Sequence, residues 1–241
     1  MSRTSKGTDP LDEELVHRRV GQGENLIPPA ASVVVAIGVY ALLPESILFV
    51  PRFVIPGLEC ALLIALLATT RSRVTRESRW SRAASATLAA VVIGANLASL
   101  GLLVKELTHN PRGGDLLLAA MQVWLTNVIG FGLLFWELDR GGPVVRRTAR
   151  RDEMPPADWR FSQDENDDAV TEVAVGASAK SGWIPIFVDY LYLSLTNSSA
   201  FSPTDTMPLT NRAKVLMGIE ATAALMTSLL VIARAVGTLG S

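Results

Sequence analysis

The residues of this chain best suited to chemistry form one polar run between two apolar stretches: Thr196, Asn197, Ser198, Ser199, Ala200, Phe201, Ser202, Pro203, Thr204 and Asp205. Hydroxyls, an amide and a carboxylate at that density can coordinate an ion or a small polar solute. They can equally close a buried turn by bonding their own backbone. Three more carboxylates, Glu59, Asp189 and Glu220, sit inside apolar segments, where an ionisable group is costly and therefore a candidate for function. The competing reading is structural: Glu59 or Glu220 pairs with Arg or Lys to hold helices together. An enzyme is not expected, because the sequence has no Gly-rich phosphate loop, nucleophile elbow or metal-spaced cluster. His17 and His109 stand far apart in polar stretches, and a single cysteine, Cys60, excludes an internal disulfide. No cofactor and no metal site follow from these residues.

Long apolar elements must position the polar run. Of 241 residues, 49% are apolar, and several runs approach the length that crosses a bilayer. Residues 1–28 form a polar tail that lacks the apolar core and cleavage site of a signal peptide. Four transmembrane helices are predicted within 29–138, at about 29–43, 53–69, 83–107 and 116–138, the last stopped by a charged Gly-Gly-Pro sequence. Its end, Glu137 to Arg140, reads as a charged terminus at the lipid headgroups. Residues 139–182 pass from basic (Arg146, Arg147, Arg150, Arg151) to acidic (Asp164, Glu165, Asp167, Asp168, Glu172) with few large apolar side chains. That composition predicts a flexible loop that buries no core. Within 183–241, a short apolar segment is followed by the polar run and a final helix at about 211–236, with Thr210 or Asn211 as its N-cap. The short segment suits a re-entrant helix better than a full span. Asn96, Gln122 and Asn127 are expected to bond between helices, and Trp124, Trp136, Trp183, Tyr190 and Tyr192 to pack in the core or at the interface.

Lys and Arg are distributed unevenly. The N-terminal tail carries four, the 71–82 loop five and the 140–180 segment seven, whereas the two intervening loops carry one each. Sixteen against two predicts a cytoplasmic N-terminus and a cytoplasmic 139–182 segment. Anionic headgroups account for the basic runs without nucleic acid.

Two motifs carry a resemblance. DYLYLSLTNSSAFSPTDTMPLT, residues 189–210, resembles the pore region of bacterial potassium channels, with Asp205 at the filter aspartate and Pro208, Leu209, Thr210 and Arg212 in the sequence after it. The five filter positions fall on Ala200, Phe201, Ser202, Pro203 and Thr204. Potassium selectivity needs successive carbonyls aimed at one axis, which two glycines normally permit. Ser202 and Thr204 replace those glycines, and Pro203 fixes its own φ, so the filter is not retained. Together with FWELDRGGP, residues 135–143, the same motif also resembles an uncharacterised family of bacterial inner-membrane proteins of about this length. That resemblance implies location and architecture but no activity.

The sequence therefore predicts an all-α, polytopic transmembrane helical bundle of five or six spans with a re-entrant, pore-loop-like segment. It is expected in the bacterial plasma membrane, embedded in lipid, and as a homo-oligomer, since one such hairpin cannot enclose a pore alone. The functional expectation is a channel-like pore or transport protein that is not potassium-selective. The alternative is a non-conducting scaffold or accessory subunit that binds a protein partner through its cytoplasmic loop.

Overall fold

The computed structural model describes residues 27–42, 51, 53–54, 56–58, 60–61, 64, 79–109, 115–200 and 205–239. Glu59, most of the predicted 53–69 helix and Phe201, Ser202, Pro203 and Thr204 lie outside the described residues. The described chain is mostly helical. Helix α1 is Ile27–Ala41, α2 is Arg79–His109 and α3 is Asp115–Leu138. A short α4, Pro143–Thr148, follows a tight turn, and β1 is Trp159–Phe161. Two single-turn helices, α5 (Thr171–Ala174) and α6 (Ser178–Ser181), lead into α7, Phe187–Ala200. Strand β2, Thr206–Pro208, precedes the final helix α8, Asn211–Leu239.

Among the described residues, two helical stretches are long and apolar enough to cross a membrane, Leu117–Gly141 and Asn211–Ala233. They differ in surroundings. The first is 72% buried inside the molecule, whereas the second is only 28% buried. Helix α3 is thus the central post, with α1, α2, α7 and α8 packed around it. Its glycines permit close approach: a Cβ at Gly132 would sit 3.2 Å from the Leu191 backbone of α7. The core runs continuously from Val33, Ile93 and Ile129 through Phe131 and Phe135 to Trp159, Phe161, Tyr190 and Met217.

The end of α3 explains the Asp-Arg-Gly-Gly-Pro sequence. Arg140, Gly141 and Gly142 all take positive φ (50°, 85° and 93°), reversing the chain before Pro143 opens α4. Proline suits that first helical position because its missing N–H would have no partner there.

Residues 142–182 differ from the flexible loop expected. They fold over the end of α3 as a cap and bury Trp159 completely and Phe161 to 4% exposure. The cap is held by an antiparallel β1–β2 ribbon, with Trp159 opposite Pro208 and Phe161 opposite Thr206, so the chain is not purely helical. Two aromatic residues separated by an arginine supply the apolar area that composition did not suggest. They pack on partners from α3 and α7, Phe135 at 4.7 Å and Tyr190 at 5.4–6.4 Å between ring centroids.

Candidate functional site

Two polar clusters lie along the α3–α7–α8 seam. The first is under the cap. Asp139, expected at the headgroups, is fully buried. Its carboxylate accepts hydrogen bonds from the Tyr190 hydroxyl at 2.5 Å and the Asp158 backbone N–H at 2.7 Å, and Arg140 Nε lies 3.7 Å away. Arg146, expected to meet lipid headgroups, is also fully buried. Its Nη1 donates to the carbonyls of Trp136 and Asp139 at 2.8 and 2.7 Å, and its guanidinium stacks 5.0 Å from the Tyr190 ring centroid. A cation at a helix C-terminus satisfies orphan carbonyls and the negative end of the dipole together. Burial, reinforced by the Asp139 carboxylate and opposed by Arg146, pushes the Tyr190 hydroxyl well above its ordinary value, so it remains a donor.

The same cluster anchors the start of α8. Arg212 grips the buried Asp158 carboxylate through Nε and Nη2, and Thr210 donates to Asp158 Oδ1. Thr210 is the N-cap: its hydroxyl accepts the Ala213 backbone N–H at 3.2 Å. Arg140 Nη2 reaches Asp164 Oδ2 at 2.5 Å, and Ser178 Oγ donates to Asp164 Oδ1 at 2.7 Å. FWELDRGGP and DYLYLSLTNSSAFSPTDTMPLT therefore meet at one place, through Asp139 and Tyr190.

The second cluster lies deeper. Glu220 is fully buried, and the structural expectation of an Arg or Lys partner is not met among the described residues. Its Oε2 accepts Asn197 Nδ2 at 2.7 Å, and its Oε1 contacts Ser194 Oγ and accepts Ser198 Oγ at 3.2 Å. Asn197 Nδ2 also donates to the Met217 carbonyl at 3.0 Å, and Ser194 Oγ donates to the Val128 carbonyl of α3 at 2.8 Å. Ser194, Asn197 and Ser198 fall at i, i+3 and i+4, one helical face aimed at one carboxyl.

Thr196, Asn197, Ser198, Ser199 and Ala200 were expected in a turn; they form the last turn of α7 instead. Thr196 bonds back to the Tyr192 and Leu193 carbonyls at 2.9 and 3.0 Å, which lets its hydroxyl coexist with the helix. Ser199 and Asp205 are exposed. Asp189 belongs to the first turn of α7, where its carboxylate accepts the Ile186 N–H at 2.7 Å. Of the candidates, Asn197, Ser198 and Glu220 converge. Sequence reading missed Ser194 as their companion, although its spacing from Asn197 was visible. It also missed Asp158 and Trp159, which no periodicity marks.

Directionality follows from these contacts. Tyr190, in the first turn of α7, meets Asp139; Arg212, in the first turn of α8, meets Asp158 and the Leu138 carbonyl. Both helices therefore start at the cap. Glu220 lies nine residues along α8, about 14 Å of helix, and meets the far half of α7. The two helices run inward side by side in the same sense, and the chain is back at the cap by Thr206, paired with Phe161. Comparison with family models, curated proteins and solved structures found no match for this chain.

Proposed function

We propose that this is a bacterial plasma-membrane protein of five spans plus a re-entrant segment, acting as a channel-like pore or transport protein without potassium selectivity. The observation that carries the reading is the shared direction of α7 and α8. A short helix that enters from the same end as the following span, with the chain returning between them, has the course of a pore loop. The Arg146, Arg147, Arg150 and Arg151 run in the cap supports a cytoplasmic cap, and the uneven distribution of Lys and Arg along the sequence supports a cytoplasmic N-terminus. The broad apolar exposure of α8, with Val215, Ile219, Leu229 and Ile232 between 41% and 60% exposed, supports lipid contact and assembly of several copies around a common pore.

The test is ion flux in proteoliposomes across potassium, sodium, chloride and protons, for the wild type, Phe201→Ala and Asp205→Ala. Flux of one or more ions that changes with either substitution supports the pore. Silence for all four, from protein that elutes as a folded species, overturns it.

One observation favours the accessory-subunit reading. Val170, Val173 and Val175 are 62%, 42% and 64% exposed on the cap, flanked by Asp168 and Glu172. An apolar patch rimmed by acids is the composition of a partner surface. Deleting the cap would remove Arg146 and Trp159 from the core, so the discriminating variant is Val170→Ser/Val173→Ser/Val175→Ser. Loss of a stoichiometric partner from that variant, with the protein still folded, would establish the accessory role.

A further inference from the structure

We propose that Glu220 is a proton-exchange site, whose carboxyl takes up and releases a proton inside the bundle through the Ser194 hydroxyl. Ser194 has one hydroxyl hydrogen, yet its oxygen lies within bonding distance of two acceptors, the Val128 carbonyl at 2.8 Å and Glu220 Oε1. An ionised Glu220 must share that single hydrogen with Val128. A protonated Glu220 resolves the shortage: its O–H donates to Ser194 Oγ, and Ser194 donates onward to the carbonyl. Asn197 keeps donating to Oε2 and Ser198 to Oε1 in both states. Rotation of one hydroxyl therefore accompanies gain or loss of one proton, and no other bond has to break. Three neutral donors hold the ionised form, and one acceptor chain holds the protonated form.

Other buried polar atoms of the bundle also lack protein partners. Asn127, next to Val128 on α3, is 4% exposed, and neither of its amide atoms has a partner. Gln122 Oε1 on α3 and Ser99 Oγ on α2 are buried and unpartnered too. Buried polar groups without protein partners are satisfied by water.

Among the described helices, no other titratable group shares the level of Glu220. Helix α2 carries no titratable residue between Arg82 and Lys105, α3 none between Asp115 and Glu137, and α7 none after Tyr192. On α8, Glu220 stands alone between Lys214 and Arg234, and α1 contributes only Tyr40. At the level of Gly218 and Thr222, α8 faces Leu97, Leu100 and Gly101. Asp139, Arg140 and Arg212 belong to the cap cluster. Among the described residues of these five helices, a proton on Glu220 is thus the one adjustable charge at this level. The proposed role rests on the transport reading, whereas the chemistry of the site does not.

Infrared difference spectroscopy of the purified full chain, stepped between acidic and alkaline buffer, reads the site directly. The wild type should show a protonated-carboxyl band that disappears at alkaline pH. The band should be absent in Glu220→Gln and shifted in frequency in Ser194→Ala, which keeps the carboxyl but removes its relay. Proteoliposomes under an imposed potential should take up protons about tenfold or more slowly with Glu220→Gln than with wild type, the scale of losing a positioned proton carrier. Identical difference spectra for wild type and Glu220→Gln overturn the proposal. If Glu220→Gln does not fold, an unshifted band in Ser194→Ala overturns it. A titrating band without flux of any ion keeps the proton site and removes the transport reading.

Discussion

The cap cluster and the Glu220 cluster hold buried carboxylates in opposite ways. Asp139 and Asp158 are fully buried with cations at hand, Arg140 in one case and Arg212 in the other. Glu220 is equally buried and held by neutral donors alone. A paired charge is fixed, because removing either partner leaves the other stranded in low dielectric. A carboxyl among hydroxyls and amides can change protonation without stranding a partner. The cap therefore reads as the rigid anchor of the hairpin and Glu220 as its adjustable point.

The sharpest way to break that contrast is Asp139→Asn. It leaves Arg140 with one carboxylate fewer and weakens the charge-assisted bonds from Tyr190 and the Asp158 N–H. A loss of about 3–5 kcal/mol is expected, read as a large drop in thermal midpoint or failure to purify as a folded species. Gly141→Ala comes next. The glycine has φ 85°, and an added Cβ would lie 2.9 Å from Pro155 Cγ and 3.0 Å from Val145 Cγ1. Strained backbone plus a contact that must give predicts a loss of about 2 kcal/mol, measured by thermal unfolding of the detergent-solubilised protein. Glu220→Gln should do least to stability, under about 1 kcal/mol. The amide donates to Ser194 and accepts from Asn197 as the protonated acid does, and its second N–H turns the Ser198 contact into a bond that Ser198 accepts. Equal destabilisation by Asp139→Asn and Glu220→Gln would erase the distinction.

Much of the helical scaffold was legible because apolar runs bounded by Gly, Pro and charge leave little choice. Helix α3 begins and ends within one residue of the sequence reading, and Thr210 caps α8 as its position before an apolar turn predicts. The cap was not legible. Its core is Trp159 and Phe161, two side chains in a polar segment, and their burial depends on α3 and α7 rather than on neighbours in sequence. Arg146 misled for a related reason. Charge alone cannot distinguish an arginine bound for headgroups from one that closes a helix C-terminus, because the carbonyls that accept it are invisible in the sequence. In the hairpin, Glu220 was singled out as an intramembrane carboxylate, and on the structural reading its partners were expected to be cations rather than Ser194, Asn197 and Ser198. The turn expected at Thr196 to Ser199 proved helical because a face of three hydroxyl or amide side chains had a carboxyl to satisfy.

On the re-entrant course, α7 and α8 enter the membrane from one side. In a Cys60→Ala background, Asp205→Cys and Ser162→Cys should react with a membrane-impermeant thiol reagent in inside-out vesicles and not in right-side-out vesicles. Modification of the two positions from opposite sides would contradict the re-entrant course and make the short segment a full crossing.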